Sequence, residues 1–257
     1  MASILDKPRQ EAGAPGGGSR AGWGWQRTQA IGAVAIPVTF GLLLLRIGGF
    51  EPFVLIMSAP VIVGLLVRAR FRRTGTVIVG VVALALLLMN APFLVEELQH
   101  PAAGIDYMFP VLVLAGALTV IVASIPAYRE ITRGVTGSRG PKVVPAGAGV
   151  LVLVLGATAL VSNTRYESAV AQPGDIKVEA RDLEFVAANL QTQAGPVTLH
   201  VENTGAALHS FTIDELDVDV FIPAGKAARI TLDAEPGTYR FYCKPHAPDM
   251  EGSLTVG

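Results

Sequence analysis

The 257-residue chain is short of three things: it has one cysteine, four histidines, and only 16% charged residues. A single cysteine excludes an internal disulfide framework. The long apolar stretches hold no paired histidines of the kind that ligate haem. Scarce charge, with 51% hydrophobic residues and a mean hydropathy of +0.49, argues against a wholly water-soluble chain and for membrane spans. The net charge of −1 hides an asymmetry. From Pro173 onward there are thirteen acidic and six basic side chains, a net of −7, so the preceding part carries +6. An acidic module therefore follows a basic one.

Residues 1–27 are rich in glycine, with scattered Lys7, Arg9, Arg20 and Arg27, and have nothing apolar to bury. They read as a disordered cytoplasmic tail. The late apolar run, with no small-residue cleavage pattern after it, does not make an ordinary signal peptide. Trp23 and Trp25 stand where interfacial aromatics sit. Residues 28–162 read as a helical membrane domain with spans at 29–45, 52–67, 76–95, 107–127 and 143–161, each near the roughly 20 residues a crossing needs. The first two are shortest and also fit a re-entrant pair. Arginines cluster between spans two and three (Arg68, Arg70, Arg72, Arg73), and Arg129, Arg133, Arg139 and Lys142 lie between four and five. The turn after span three, Glu96-Glu97-Leu98-Gln99-His100, has no basic residue. The positive-inside rule then sets the N-terminus in the cytoplasm and the C-terminus outside, which requires an odd number of spans. The expectation is a multi-pass protein of the plasma membrane.

Residues 163–173 read as a polar linker of at most about 40 Å. From 174 to 257 the texture becomes one of alternation: Val197, Leu199 and Val201 face one way, as do Tyr239, Phe241 and Cys243. Turn signals such as Asn203-Thr204-Gly205 and Glu235-Pro236-Gly237 separate the runs. Six to eight short strands with this punctuation form an all-β sandwich. The predicted fold class is therefore mixed: about five transmembrane α-helices followed by a C-terminal Greek-key sandwich.

The chemistry is concentrated in Cys243-Lys244-Pro245-His246-Ala247-Pro248-Asp249-Met250. Thiolate, imidazole and thioether on one loop are soft ligands suited to copper, where magnesium or calcium would need oxygens. His209, in Leu208-His209-Ser210-Phe211, supplies a second imidazole from between two strand-like runs. The predicted metal ligands are His209, Cys243, His246 and Met250, around one mononuclear copper. Pro245 lacks an N–H and cannot donate to the Cys243 sulfur, which leaves the Ser210 amide as donor and favours the reduced ion.

Several words in this region resemble the cupredoxin (type 1 copper) family: His209-Ser210-Phe211-Thr212-Ile213, Ile222-Pro223-Ala224-Gly225, Pro236-Gly237-Thr238-Tyr239 and the loop from Phe241 to Met250. The resemblance covers the last third of the chain. It implies a blue copper site, with His246 at the edge where electrons enter or leave. Three residues separate His246 from Met250, where family loops commonly have two or four, and this leaves the axial role of Met250 open.

The function expected is an extracytoplasmic, membrane-anchored carrier of single electrons for a redox partner protein, with the membrane and no nucleic acid as its other partner. No catalytic residue is assigned, and an enzyme is not expected. A trinuclear oxygen-reducing cluster needs about eight more ligands, and a binuclear thiolate site needs a second cysteine. The alternative is a copper module for storage, sensing or delivery; a metal-free structural sandwich is a third class. Asp214, Glu215, Asp217 and Asp219 read as a solvated strand face before a steering surface. His200 alternates with core positions and reads as a surface histidine. Glu96, Glu97, His100, Asp106 and Met108 read as membrane-rim residues before a second metal site, and Asn90 as an interhelical hydrogen-bonding group.

Overall fold

The computed structural model describes residues 23–47, 52–134 and 140–257. Up to residue 22, the tail expected at 1–27 lies outside the described residues. Six helices come first: α1 (Trp25–Ile47), α2 (Pro52–Arg70), α3 (Arg72–Met89), α4 (Ala91–Leu98), α5 (Ile105–Arg133) and α6 (Gly140–Arg165). All but α4 are long and apolar enough to cross a membrane. The third predicted span, 76–95, departs from expectation because it breaks at Asn90 into α3 and α4. Pro92 is the reason: it has no N–H for the preceding turn and its ring crowds that turn, so it suits the start of a new helix. The Asn90 amide donates to the Leu86 carbonyl at 2.8 Å and to the Met57 sulfur of α2 at 3.5 Å.

Helices α1 and α5 form the centre of the bundle. Gly32 and Gly116 let their backbones approach: a Cβ on Gly32 would lie 2.8 Å from the Gly116 carbonyl oxygen. Ala33, Ile36, Ala117 and Val120 are buried alongside them. At one end of the bundle the Gln26 N–H donates to the Glu130 carboxylate (3.0 Å) and Arg68 to the Gln26 carbonyl (2.6 Å). Trp23 Nε1 donates to the Pro141 carbonyl there (3.0 Å). This end gathers Arg68 and Arg70 at the close of α2 and Arg133 at the close of α5, and the β domain lies at the other.

The β domain has nine strands in two sheets: β1 (Ile176–Arg181), β2 (Glu184–Phe185), β3 (Asn189–Thr192), β4 (Gly195–Asn203), β5 (His209–Ile213), β6 (Val218–Ile222), β7 (Ala227–Ala234), β8 (Gly237–Tyr242) and β9 (Glu251–Val256). One sheet runs β2-β1-β4-β7 and the other β3-β9-β8-β5-β6. The predicted alternation is the inner face: Val178, Leu199 and Val201 from one sheet meet Phe211, Ile213, Phe241 and Leu254 from the other. Phe211 and Phe241 stack at 4.8 Å, and Phe185 meets both edge-on. Gly252 is where Phe241 needs room, since a Cβ there would come within 2.3 Å of the ring.

Two expectations fail in detail. The linker expected at 163–173 is shorter and is not free. Helix α6 runs to Arg165, and the next residues lie along β7, where the Ala169 N–H donates to the Ala227 carbonyl (2.9 Å) and the Ala227 N–H to Ser168 Oγ (2.8 Å). His200 is consequently buried, with its Nε2 3.2 Å from the Ala169 carbonyl. It does face away from the sandwich interior, but the link covers it.

The rim of the bundle is a docking surface for the β domain. Asp106 accepts from Arg46 Nε (2.9 Å) and from the Leu208 N–H (3.0 Å). His100 stacks on Phe221 at 3.6 Å, and Leu208 is buried among Ala103, Tyr107, Val111 and Ala159. Asp106 thus grips the residue next to His209.

Candidate metal centre

His209 opens β5, whose five residues are all buried. Its alternation points His209, Phe211 and Ile213 inward. Ser210 and Thr212 fall on the other face and bond each other at 3.1 Å. Cys243 follows β8 directly and is fully buried. A single 3₁₀ turn, Lys244–His246, then brings His246 back, its N–H donating to the Cys243 carbonyl at 3.1 Å. Met250 closes the loop: its carbonyl accepts the Cys243 N–H at 3.0 Å, and its side chain is buried in the same apolar cluster as Cys243.

The fold brings three of the four predicted ligands face to face. Cys243 Sγ lies 3.3 Å from His246 Nδ1 and 3.6 Å from His209 Nδ1. All three ligand atoms fall within 4.8 Å of one another, and among the described residues this is the one group of histidine, cysteine and carboxylate atoms that converges so. The donor set fits copper: two imidazole nitrogens and a sulfur around a shared space. A buried imidazole with an unmade hydrogen bond costs about 1–3 kcal/mol. His209 Nε2 is such an orphan, and the sulfur is the polar neighbour of Nδ1. Nδ1, which faces the sulfur and the shared space, is the nitrogen that would hold a cation; Nε2 stays unpaired.

Ser210 works in two directions. Its N–H donates to Cys243 Sγ at 3.3 Å, the donor the sequence singled out, and its Oγ accepts the Lys244 N–H at 2.8 Å. Sequence reasoning missed Asn203. Fully buried, it donates to the carbonyls of Ala207 and Ile222, both at 2.8 Å, and accepts the Gly205 N–H at 2.9 Å. That network shapes the loop leading into His209. Its signal was the Asn-Thr-Gly turn, read only as punctuation. Asp214 and Asp219 are less free than a solvated face implies: Tyr242 Oη donates to Asp214 (3.0 Å), and Lys244 pairs with Asp219 (2.5 Å).

Burial sets the protonation of the metal-free site. Desolvation, helped by the neighbouring His246, lowers His209 to about 4; desolvation also lowers His246 and raises the Cys243 thiol. At pH 7 the site therefore holds a neutral thiol and two neutral imidazoles. Binding copper at pH 7 should release about one proton per ion, and affinity should rise about tenfold per pH unit around neutrality. The release should grow as the pH falls, first as His246 becomes charged below its ordinary range and again near pH 4, where His209 starts charged. A pH-indicator titration in weak buffer counts these protons; a count of zero at pH 7 rules out thiolate ligation.

The family model described as a cupredoxin-like domain matches residues 150–256, a stretch that begins inside α6 and takes in all nine strands. Solved structures similar to part of the chain include amicyanin from Paracoccus versutus (18% identity over 34% of this chain and 85% of that one, TM-score 0.30). A purple cupredoxin from Nitrosopumilus maritimus is also similar (18% identity, 32% and 100%, TM-score 0.28). So is a blue copper oxidase from Nitrosomonas europaea (18% identity, 32% and 38%, TM-score 0.28). No curated protein matches the chain.

Proposed function

Because the C-terminal part of the chain is a cupredoxin-like domain, we propose that it holds one copper ion between His209, Cys243 and His246, with Met250 as axial ligand, and carries single electrons outside the cytoplasm. The observation that carries this reading is the convergence of two imidazole nitrogens and one thiol sulfur within 4.8 Å. Copper bound there supplies a one-electron change between Cu(I) and Cu(II). The chain's own residues provide the rigidity. Strands β5 and β8 fix His209 and Cys243 over the stacked Phe211–Phe241 pair, and the Ser210 N–H holds the sulfur in place.

Full burial of His209, Cys243 and Met250 favours this reading over storage or delivery, because handing copper to another protein requires ligands within a partner's reach. The arginine-rich end of the bundle lies opposite the β domain, which supports a cytoplasmic N-terminus and a β domain at the outer membrane face. A redox protein is the proposed partner for the soluble side.

The test is the visible and paramagnetic-resonance spectrum of the copper-loaded full-length chain. An intense thiolate-to-copper band is expected. Met250→Ala should keep that band while shifting its energy and the midpoint potential. A colourless Cu(II) adduct of the unaltered chain overturns the proposal, and a spectrum untouched by Met250→Ala removes the axial assignment.

A further inference from the structure

The bundle and the β domain enclose a cavity of about 540 Å³ between them. Its floor and sides are apolar, including Phe40, Leu87 and Val113 from α1, α3 and α5. Phe53 and Phe93, also on its wall, are 45% and 50% exposed on the outside of the bundle, where lipid would lie. The roof is different in kind: Arg46, Asp106 and Glu97 come from the helices, and His246 comes from the metal centre. Apolar walls with a few polar groups gathered at one end, at this volume, are the properties of a small-molecule site.

The chemistry of that polar end selects among lipids. Arg46 is already paired with Asp106, and burial beside Asp106 raises the Glu97 carboxyl to about 7, so the roof offers no unpaired cation. A phosphate headgroup or a fatty-acid carboxylate would be desolvated there without a free cation to pair with. A neutral ring bearing carbonyl or hydroxyl groups meets both donors and acceptors, and an apolar tail can leave past Phe53 and Phe93. We propose that this cavity binds the head of a lipid-soluble quinone or quinol, with its ring against the His246 edge of the metal centre. The choice of a redox-active ring over another neutral lipid rests on the copper reading, since His246 is both wall and proposed ligand; binding itself does not.

The experiment uses metal-free full-length chain in nanodiscs of neutral phospholipid, with empty nanodiscs as blank, titrated calorimetrically with a decyl-tailed benzoquinone. One quinone per chain is expected. Leu87→Trp and Val113→Trp, which fill the cavity from different helices, should each weaken binding about tenfold or more, while the copper-loaded forms keep the visible spectrum of the unaltered chain. Three results overturn the inference: no binding to unaltered chain whose copper spectrum is intact, unchanged affinity in both tryptophan variants, or equal competition from dioleoylglycerol. Quinone binding by a chain that shows no copper spectrum would sink the copper reading and leave the cavity's ligand standing.

Discussion

Cys243→Ser should abolish the intense visible band of the copper-loaded chain and weaken copper binding by more than the 10–100-fold that loss of an outer partner costs. The reason is chemical rather than steric. Serine has nearly the same shape, and Cys243 is fully buried, so the exchange leaves the loop from Tyr242 to Met250 in place. What goes is the soft, readily ionised sulfur that lies 3.3 Å and 3.6 Å from the two imidazole nitrogens. Serine's hydroxyl does not ionise near neutrality and is a hard donor, poorly matched to Cu(I). The Ser210 N–H keeps an acceptor in the new oxygen, so the metal-free fold should lose only about 1–3 kcal/mol. Absorption spectroscopy with a competing chelator reads both effects. An unchanged band in the serine variant would mean that the sulfur is not a ligand.

Phe211→Ala should cost the β domain about 3–5 kcal/mol, a large share of the 5–15 kcal/mol that holds a typical domain together. Phe211 is fully buried at the meeting of the two sheets, stacked on Phe241 at 4.8 Å and edge-on to Phe185 at 5.8 Å. Removing the ring strips partners from both neighbours at once. It also loosens the metal centre, because His209 is two residues before Phe211 on β5 and Cys243 two residues after Phe241. Guanidinium unfolding of the metal-free chain, followed by a β-sheet signal, measures the loss. A cost under about 1 kcal/mol would show that the remaining aromatics close the gap.

The convergence of His209, Cys243 and His246 was legible because these residue types are rare in this chain. One cysteine and four histidines leave few combinations, and the loop from Cys243 to Met250 holds the cysteine and one of the histidines. The sandwich was legible because one buried face imposes a period of two, which Val197, Leu199 and Val201 keep. What local pattern could not carry was contact between distant parts. Alternation correctly turned His200 away from the interior, yet nothing nearby in sequence says that Ser168 and Ala169 come to lie over that face. Hydropathy runs on through Asn90 and Pro92, so the break between α3 and α4 is a backbone effect that a sum of side-chain polarities misses. Asp106 and His100 read as ordinary rim residues because their partners, the Leu208 N–H and the Phe221 ring, lie more than 100 residues downstream.

The strand that Ser168 and Ala169 accompany, β7, is the last of its sheet, with β4 on its other side. An open outermost strand is a template for another chain. A soluble fragment begun at the apparent domain start near residue 174 would leave those backbone groups bare and invite self-association, whereas one begun at Tyr166 carries its own cover.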